Sequence, residues 1–311
     1  MKKFKGSFYG FLIGDAMGVP VEFCQREELL LDPVTRMIGY RNYDIPAGSW
    51  SDDSSMMLSN MDSITSKNKI DYDDIMKKFS EWISYAKYTS VDYVFDIGRT
   101  TLKAIVRYQN GMEALECGLK GDNFNGNGSL MRMVPIAFYA YAKNLEENDI
   151  IDLVSLSSSL THSHGISILG CYIYVRYLIF LLDGFDKNQS YDLIKKLDYS
   201  FVSSEIKEEY KNLFADNFLY LPLDKISSTG YIVHTLESVI WCVNNTNSFK
   251  EAIIGAINLG GDTDTIGALT GALAGIIYGF HSIPKYWINN LQKKDYLKLM
   301  YSSFLKTLNR I

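Results

Sequence analysis

Apolar residues recur at helical spacing along most of this 311-residue chain, and nowhere do they alternate at period two over a useful length. The first helical stretch, residues 8–17, carries Gly10 and Gly14 and ends at the break Gly18-Val19-Pro20. Residues 24–50 read as a long loop, with turn signals at Asp32-Pro33, Gly39 and Pro46. Periodicity resumes over 52–64 and 72–85. Within 94–108, Asp96 stands at the start of a helix with Leu102, Ile105 and Val106 on one side. A Gly/Asn loop at 123–128 feeds 129–135 and an aromatic helix over 136–142. Helices over 149–160 and 166–182 flank Thr161-His162-Ser163-His164-Gly165, and the polar stretch 183–223 reads as peripheral helices and loops. Helices over 230–241 and 249–259 lead to an apolar, small-residue helix at 266–280. Its Gly267, Gly271 and Gly275 fall on one face and would let another backbone come close. The pattern predicts an all-α protein, a single domain spanning 1–311.

Composition narrows the class. A chain that is 47% hydrophobic can bury a large core. A net charge of −5 offers no basic face, which argues against electrostatic binding of nucleic acid. Cys24, Cys117, Cys171 and Cys242 lie far apart with no Cys-x-x-Cys, so they read as free thiols in a reducing, cytoplasmic setting. The lysines at the N-terminus resemble a signal-peptide head, but Asp15 breaks the apolar run and no cleavage site stands out. The apolar stretches 168–182, which contains Arg176, and 266–280, which is short, read as buried helices rather than membrane spans. A monomer is expected.

The chemistry concentrates in two acidic groups. Asn258-Leu259-Gly260-Gly261-Asp262-Thr263-Asp264-Thr265 places two carboxylates among hydroxyls at a helix start, and Gly260-Gly261 permits a loop there. Free N–H groups and the helix dipole favour negative charge at such a position. N-capping explains an Asp-x-Asp of this kind when it stands alone. However, Ser51-Asp52-Asp53 stands at another helix start, after Pro46-Ala47-Gly48-Ser49-Trp50. Four carboxylates meeting at one point would repel unless a cation compensated them, and all-oxygen ligands suit a hard ion such as Mg²⁺ or Mn²⁺.

Five motifs in order resemble the ADP-ribosylglycohydrolase family. They are Gly14-Asp15-Ala16-Met17-Gly18 with Glu22, Trp50-Ser51-Asp52-Asp53-Ser54, Gly126-Asn127-Gly128-Ser129-Leu130-Met131-Arg132, Thr161-His162, and Gly260-Gly261-Asp262-Thr263-Asp264-Thr265. The resemblance spans about residues 6–287. Asp96-Ile97-Gly98 and Gly230-Tyr231-Ile232-Val233-His234 look most like the branch of dinitrogenase-reductase-activating glycohydrolase, which cleaves ADP-ribosyl-arginine.

The resemblance implies an orthogonal all-α bundle with a binuclear centre of two Mg²⁺ or Mn²⁺ ions. It assigns Ser51, Asp52, Asp53 and Asp264 to one ion and Asp262, Asp264 and Thr265 to the other. Ser51 stands where the family usually has Thr, and it keeps the hydroxyl. Asn127, Gly128 and Ser129 would give N–H and hydroxyl donors to the diphosphate. His162 and Tyr231 would contact substrate. Arg132 is expected to pair with a buried acid, and His164 to be a packing residue. Asp96 would act as base or oxocarbenium stabiliser, although taken alone it reads as a cap for Gly98 and Arg99. Glu22 would be an accessory acid on a flap that gates the metal centre. The expected activity is hydrolysis of mono-ADP-ribosylated protein at arginine, with ADP-ribose as product. An acceptor serine, another O-linked or nucleic-acid acceptor, a non-catalytic ADP-ribose-binding module and a structural protein are the alternatives. The intact carboxylates argue against the last two.

Overall fold

The structure, a computed structural model, describes residues 2–309. Its α-helices in chain order are α1 (Lys2–Gly18), α2 (Arg26–Leu31), α3 (Asp52–Lys67), α4 (Tyr72–Tyr85), α5 (Arg99–Gln109), α6 (Val134–Lys143), α7 (Glu147–Ser159) and α8 (Gly165–Asp183). They continue as α9 (Lys187–Ile194), α10 (Ser204–Glu208), α11 (Lys211–Phe214), α12 (Ile232–Asn244), α13 (Phe249–Ile257), α14 (Thr263–Ile277), α15 (Lys285–Asn290) and α16 (Lys294–Leu308). Among the described residues there is no strand, only an isolated bridge between Leu119 and His162. The helices fall into two compact units. The first is the chain up to Trp50 with Phe180–Gln292, and the second is Ser51–Ile179 with the chain from Lys293 on.

The first unit is built on the crossing of α1 and α14, two antiparallel helices that meet backbone to backbone. A Cβ placed on Gly6, Gly10 or Gly14 would lie 2.0, 2.1 and 1.9 Å from the carbonyl oxygens of Gly275, Gly271 and Gly267 respectively. Only hydrogen fits at these positions, and the four-residue spacing repeats the fit along one face of each helix. The backbone that the glycine face of α14 admits is thus that of α1. The crossing ends where α1 ends: Thr263 Oγ1 donates to Gly18 O at 2.8 Å, which ties the start of α14 to the end of α1. α12 and α13 pack against α14, with Ile257 and Ile253 of α13 beside Gly267 and Gly271.

In the second unit α3 is central. Met56, Met57, Leu58, Met61 and Ile64 are buried, and α4, α6 and α16 pack against it. Ser51 caps it by accepting the Asp53 N–H at 3.3 Å. α8 is long and apolar enough to cross a membrane, yet 78% of that window is buried within the protein, and Arg176 pairs with Glu147 at 3.2 Å. It is a core helix.

Three local expectations give way. α2 occupies part of the expected 24–50 loop. It is too short to show a period, but Glu28 Oε2 accepts the Gln25 N–H at 3.3 Å, and Arg26 donates to the carbonyls of Leu259 and Leu223, each at 2.7 Å. α16, with Leu297, Phe304 and Leu308 buried, was not anticipated. Asp96 does not begin a helix: α5 starts at Arg99 with Gly98 at the cap position, and Asp96 itself has φ 50°.

Candidate functional site

In the first unit, Gly260 (φ 73°) and Gly261 (φ 71°) turn the chain in the left-handed region that glycine tolerates. The turn is held from both sides. Phe23 N–H donates to Gly261 O at 2.7 Å, Gly261 N–H to Cys24 O at 2.9 Å, and Asp262 N–H to Ser228 O at 2.8 Å. These bonds bring the segment after α1, which carries Glu22, against the loop before α14. Glu22 and Asp264 consequently offer carboxylate oxygens within 4.8 Å of each other. Glu22 is 4% exposed and Oε2 accepts from Tyr43 OH at 2.7 Å, so it stands in packed protein and not on an exposed flap. Asp264 accepts the Thr265 N–H at 2.9 Å. Asp262 occupies the cap position of α14 without a side-chain cap bond, which departs from a plain capping role. A Cβ on Gly230 would lie 2.9 Å from Asp262 Oδ2, so glycine there leaves the carboxylate its space.

Tyr231 precedes α12. Its hydroxyl donates to Glu209 at 2.8 Å and its ring stands edge-on to His234. Burial, then the Glu209 carboxylate, hold the phenol above its ordinary range. Nearby on α12, burial pushes the Glu237 carboxyl up to about 7. No motif in the sequence points to Tyr43 or Glu209. Glu237 does carry a signal, as the one acid in a largely apolar helix.

In the second unit, Asp52 and Asp53 fill the first turn of α3 and offer carboxylate oxygens within 4.8 Å of each other. Ser51 Oγ donates to Asp53 Oδ2 at 3.1 Å. Asp96 is partly exposed in the segment before α5. Asn127, Gly128 and Ser129 lie in a 3₁₀ turn, Asn127–Arg132, that leads into α6. The Ser129 hydroxyl is fully buried, accepts from Ser158 Oγ at 3.0 Å and lies 3.3 Å from Cys171 Sγ. It is therefore engaged inside the protein, contrary to its expected hydroxyl contact with a diphosphate. Gly128 is partly exposed. A Cβ there would come within 2.7 Å of Thr101 Oγ1 and 2.8 Å of His162 Cε1, so glycine lets the turn lie against the imidazole.

His162 is 2% exposed, and Nδ1 lies 2.8 Å from Thr161 Oγ1. Burial, then the Arg132 charge, lower its pKa to about 3. Arg132 has no carboxylate partner among the described residues, which corrects the expected pairing with a buried acid. Its guanidinium donates to Ser157 O and Thr161 Oγ1, both at 2.9 Å, and lies over the Phe79 ring. His164 is a peripheral residue, 3.2 Å from Asp122.

A model of the ADP-ribosylglycohydrolase family matches residues 1–309. The chain belongs to the ADP-ribosylglycohydrolase family. It is 31% identical over 300 residues to the ADP-ribosylarginine hydrolase Tri1 of Serratia proteamaculans, covering 95% of this chain and 76% of that one. It is 29% identical to the ADP-ribosyl-dinitrogen reductase glycohydrolase of Rhodospirillum rubrum, covering 93% and 90%. A solved structure titled ADP-ribosylglycohydrolase-related protein complex superposes with a TM-score of 0.81 at 25% identity, covering 99% of this chain and 97% of that one. The protein is thus an enzyme of this family, with named hydrolases among its relatives.

The residues present fit a hard divalent cation. Ser51, Asp52, Asp53, Asp262, Asp264 and Thr265 are all between 1 and 9% exposed and offer only oxygen. Carboxylates buried this close to one another, Glu22 with Asp264 and Asp52 with Asp53, repel and favour a compensating cation.

Proposed function

We propose that this glycohydrolase removes ADP-ribose from arginine side chains of modified proteins and depends on two divalent cations, Mg²⁺ or Mn²⁺. The observation that carries the reading is the set of buried carboxylates in a chain whose relatives include proteins named ADP-ribosylarginine hydrolase at 29–31% identity. The ligands are Asp262, Asp264 and Thr265 of the first unit and Ser51, Asp52 and Asp53 of the second. Bound there, the cations would neutralise the carboxylates, hold ribose hydroxyls and polarise water.

The bond that breaks joins the anomeric carbon to a guanidine nitrogen. That nitrogen keeps the electron pair and takes a proton, and the ribose passes through an oxocarbenium-like state before a water oxygen bonds to the carbon. Asp96 is the residue we assign to the cationic ribose or to the water's proton, with Glu22 as the accessory acid. The turn at Asn127–Gly128 and the His162 ring edge would bind the ADP-ribosyl group, and Tyr231 the substrate near the acceptor. Four cysteines outside any disulfide support a reducing, cytoplasmic setting.

The test is release of free ADP-ribose from ADP-ribosyl-arginine, measured chromatographically with Mg²⁺, with Mn²⁺ and after chelation. Release only with a cation is expected. Release from a serine-linked substrate alone would replace the acceptor class. Binding of ADP-ribose without release from any substrate would leave a binding module.

A further inference from the structure

The second unit contains a buried chain of hydrogen bonds that sets which nitrogen of His162 carries the proton. Thr161 is fully buried, and its hydroxyl oxygen has two partners, Arg132 Nη2 at 2.9 Å and His162 Nδ1 at 2.8 Å. A guanidinium can only donate, so one lone pair of the hydroxyl is filled by Arg132. The hydroxyl has a single proton, and Nδ1 is the remaining atom that can take it. Were Nδ1 protonated, both groups would donate to the same oxygen, and the hydroxyl proton would be left in the core without an acceptor. Nδ1 therefore accepts, and the ring proton sits on Nε2.

Most groups around this chain are held, although the buried Arg132 Nε has no hydrogen-bond partner among the described residues. Arg132 is also bound to Ser157 O at 2.9 Å, and its own carbonyl accepts from Asn60 Nδ2 at 2.9 Å. The His162 N–H donates to Ser158 O at 2.8 Å, and its carbonyl accepts from Ser158 Oγ at 2.8 Å. The flanking Thr161 O and Ser163 N–H are bonded to Leu119. The turn passes close to this ring edge, since a Cβ on Gly128 would stand 2.8 Å from Cε1 and 3.4 Å from Nε2. Nε2 has no hydrogen-bond partner among the described residues, and it lies on the edge that faces Gly128.

We propose that Arg132 is a positioning residue: acting through Thr161, it locks His162 as the Nε2–H tautomer, so that the ring presents a fixed donor beside Gly128 to an accepting oxygen of the ADP-ribosyl group. The substrate half of this proposal rests on the function proposed above, whereas the tautomer does not. The lock also accounts for a buried guanidinium with no carboxylate beside it. An acid there would compete for the guanidinium's donors and favour a protonated imidazole, which has no acceptor at Nδ1.

Two-bond proton–nitrogen correlation spectra of the ¹⁵N-labelled full chain test the lock directly, with His162→Gln identifying the resonance. The expected result is an unprotonated Nδ1 and a protonated Nε2 in the unliganded protein, unchanged in Thr161→Ser. Thr161→Val and Arg132→Met should release the lock, giving mixed or reversed protonation. ADP-ribose affinity, measured calorimetrically, should fall about tenfold or more in Thr161→Val, as for loss of one hydrogen bond to a charged oxygen, and be largely kept in Thr161→Ser. Nδ1–H in the unsubstituted protein overturns the proposal, even if neither releasing variant folds. So does a Thr161→Val protein with unchanged tautomer and affinity. An Nε2–H ring in a protein that binds no ADP-ribose retains the lock and overturns its substrate half together with the proposed function.

Discussion

Replacing Gly14 by alanine should cost stability where helix propensity alone predicts a gain. Alanine in a helix interior is favoured over glycine by about 1 kcal/mol. The new methyl at Gly14, however, would stand 1.9 Å from Gly267 O and 2.3 Å from Gly267 C, whereas ordinary contact begins at 3.4 Å. Both obstacles are backbone atoms inside α14, so no rotamer change relieves them, and α1 and α14 must part by about 1.5 Å at that level. Overpacking typically costs about 1–3 kcal/mol, and a backbone obstacle belongs at the upper end. The net loss expected is about 2 kcal/mol, because about 1 kcal/mol of propensity offsets part of it. Gly255→Ala supplies the control. Gly255 lies on α13, where its methyl would meet only Thr246 Cγ2 at 3.9 Å, and the substitution should stabilise by up to about 1 kcal/mol. Denaturant unfolding reads both. Parting the helices would also disturb the Thr263–Gly18 bond and the approach of Asp264 to Glu22, so Gly14→Ala should bind Mn²⁺ more weakly in a calorimetric titration. A Gly14→Ala protein as stable as Gly255→Ala would refute the reasoning that this crossing is limited by backbone contact.

Three further outcomes are expected. Asp264→Asn should lower Mg²⁺ or Mn²⁺ occupancy, read by metal analysis after dialysis, together with activity, and full occupancy would remove Asp264 from the ligands. Asp96→Asn should keep ADP-ribose affinity while losing about 10²–10⁴-fold in turnover, whereas Glu22→Gln, on a side chain packed beside Asp264, should weaken cation binding as well; the reverse pattern in calorimetry and steady-state kinetics would exchange their roles. His162 is held neutral by burial and by Arg132, with a folded pKa of about 3 against an ordinary 6.5, so it favours folding above pH 6.5 and loses that contribution as the pH falls toward 3. At pH 5 the loss is about 2 kcal/mol, and His162→Gln should flatten that part of the stability–pH curve measured by denaturant unfolding.

Helix content and the acidic motifs were legible in the sequence because both are local. The 3.6-residue period marks a buried face wherever a helix is long enough to repeat it, and Gly-Gly before Asp-x-Asp marks a loop entering a helix. The glycine face of α14 could be read from its spacing, but not its partner, since nothing local says that Gly6, Gly10 and Gly14 run antiparallel against it. α2 was too short to repeat a period, and its helix rests on Arg26 reaching the carbonyls of Leu259 and Leu223, more than a hundred residues away. Asp96 looked like a cap because capping residues are recognised by neighbours in sequence, yet its left-handed backbone places the start of α5 three residues later. The Gly126–Arg132 motif named the turn, while tertiary structure alone decided that the Ser129 hydroxyl faces Ser158 and Cys171. Arg132 was expected to seek an acid. Its actual partners, a carbonyl, a hydroxyl and an aromatic face, come from α7, the turn after it and α4, and a guanidinium can donate to the first two and stack on the third. Local chemistry announces which groups need partners; only the packed chain brings particular donors and acceptors within 3 Å, because that distance depends on helices whose contacts lie far apart in sequence.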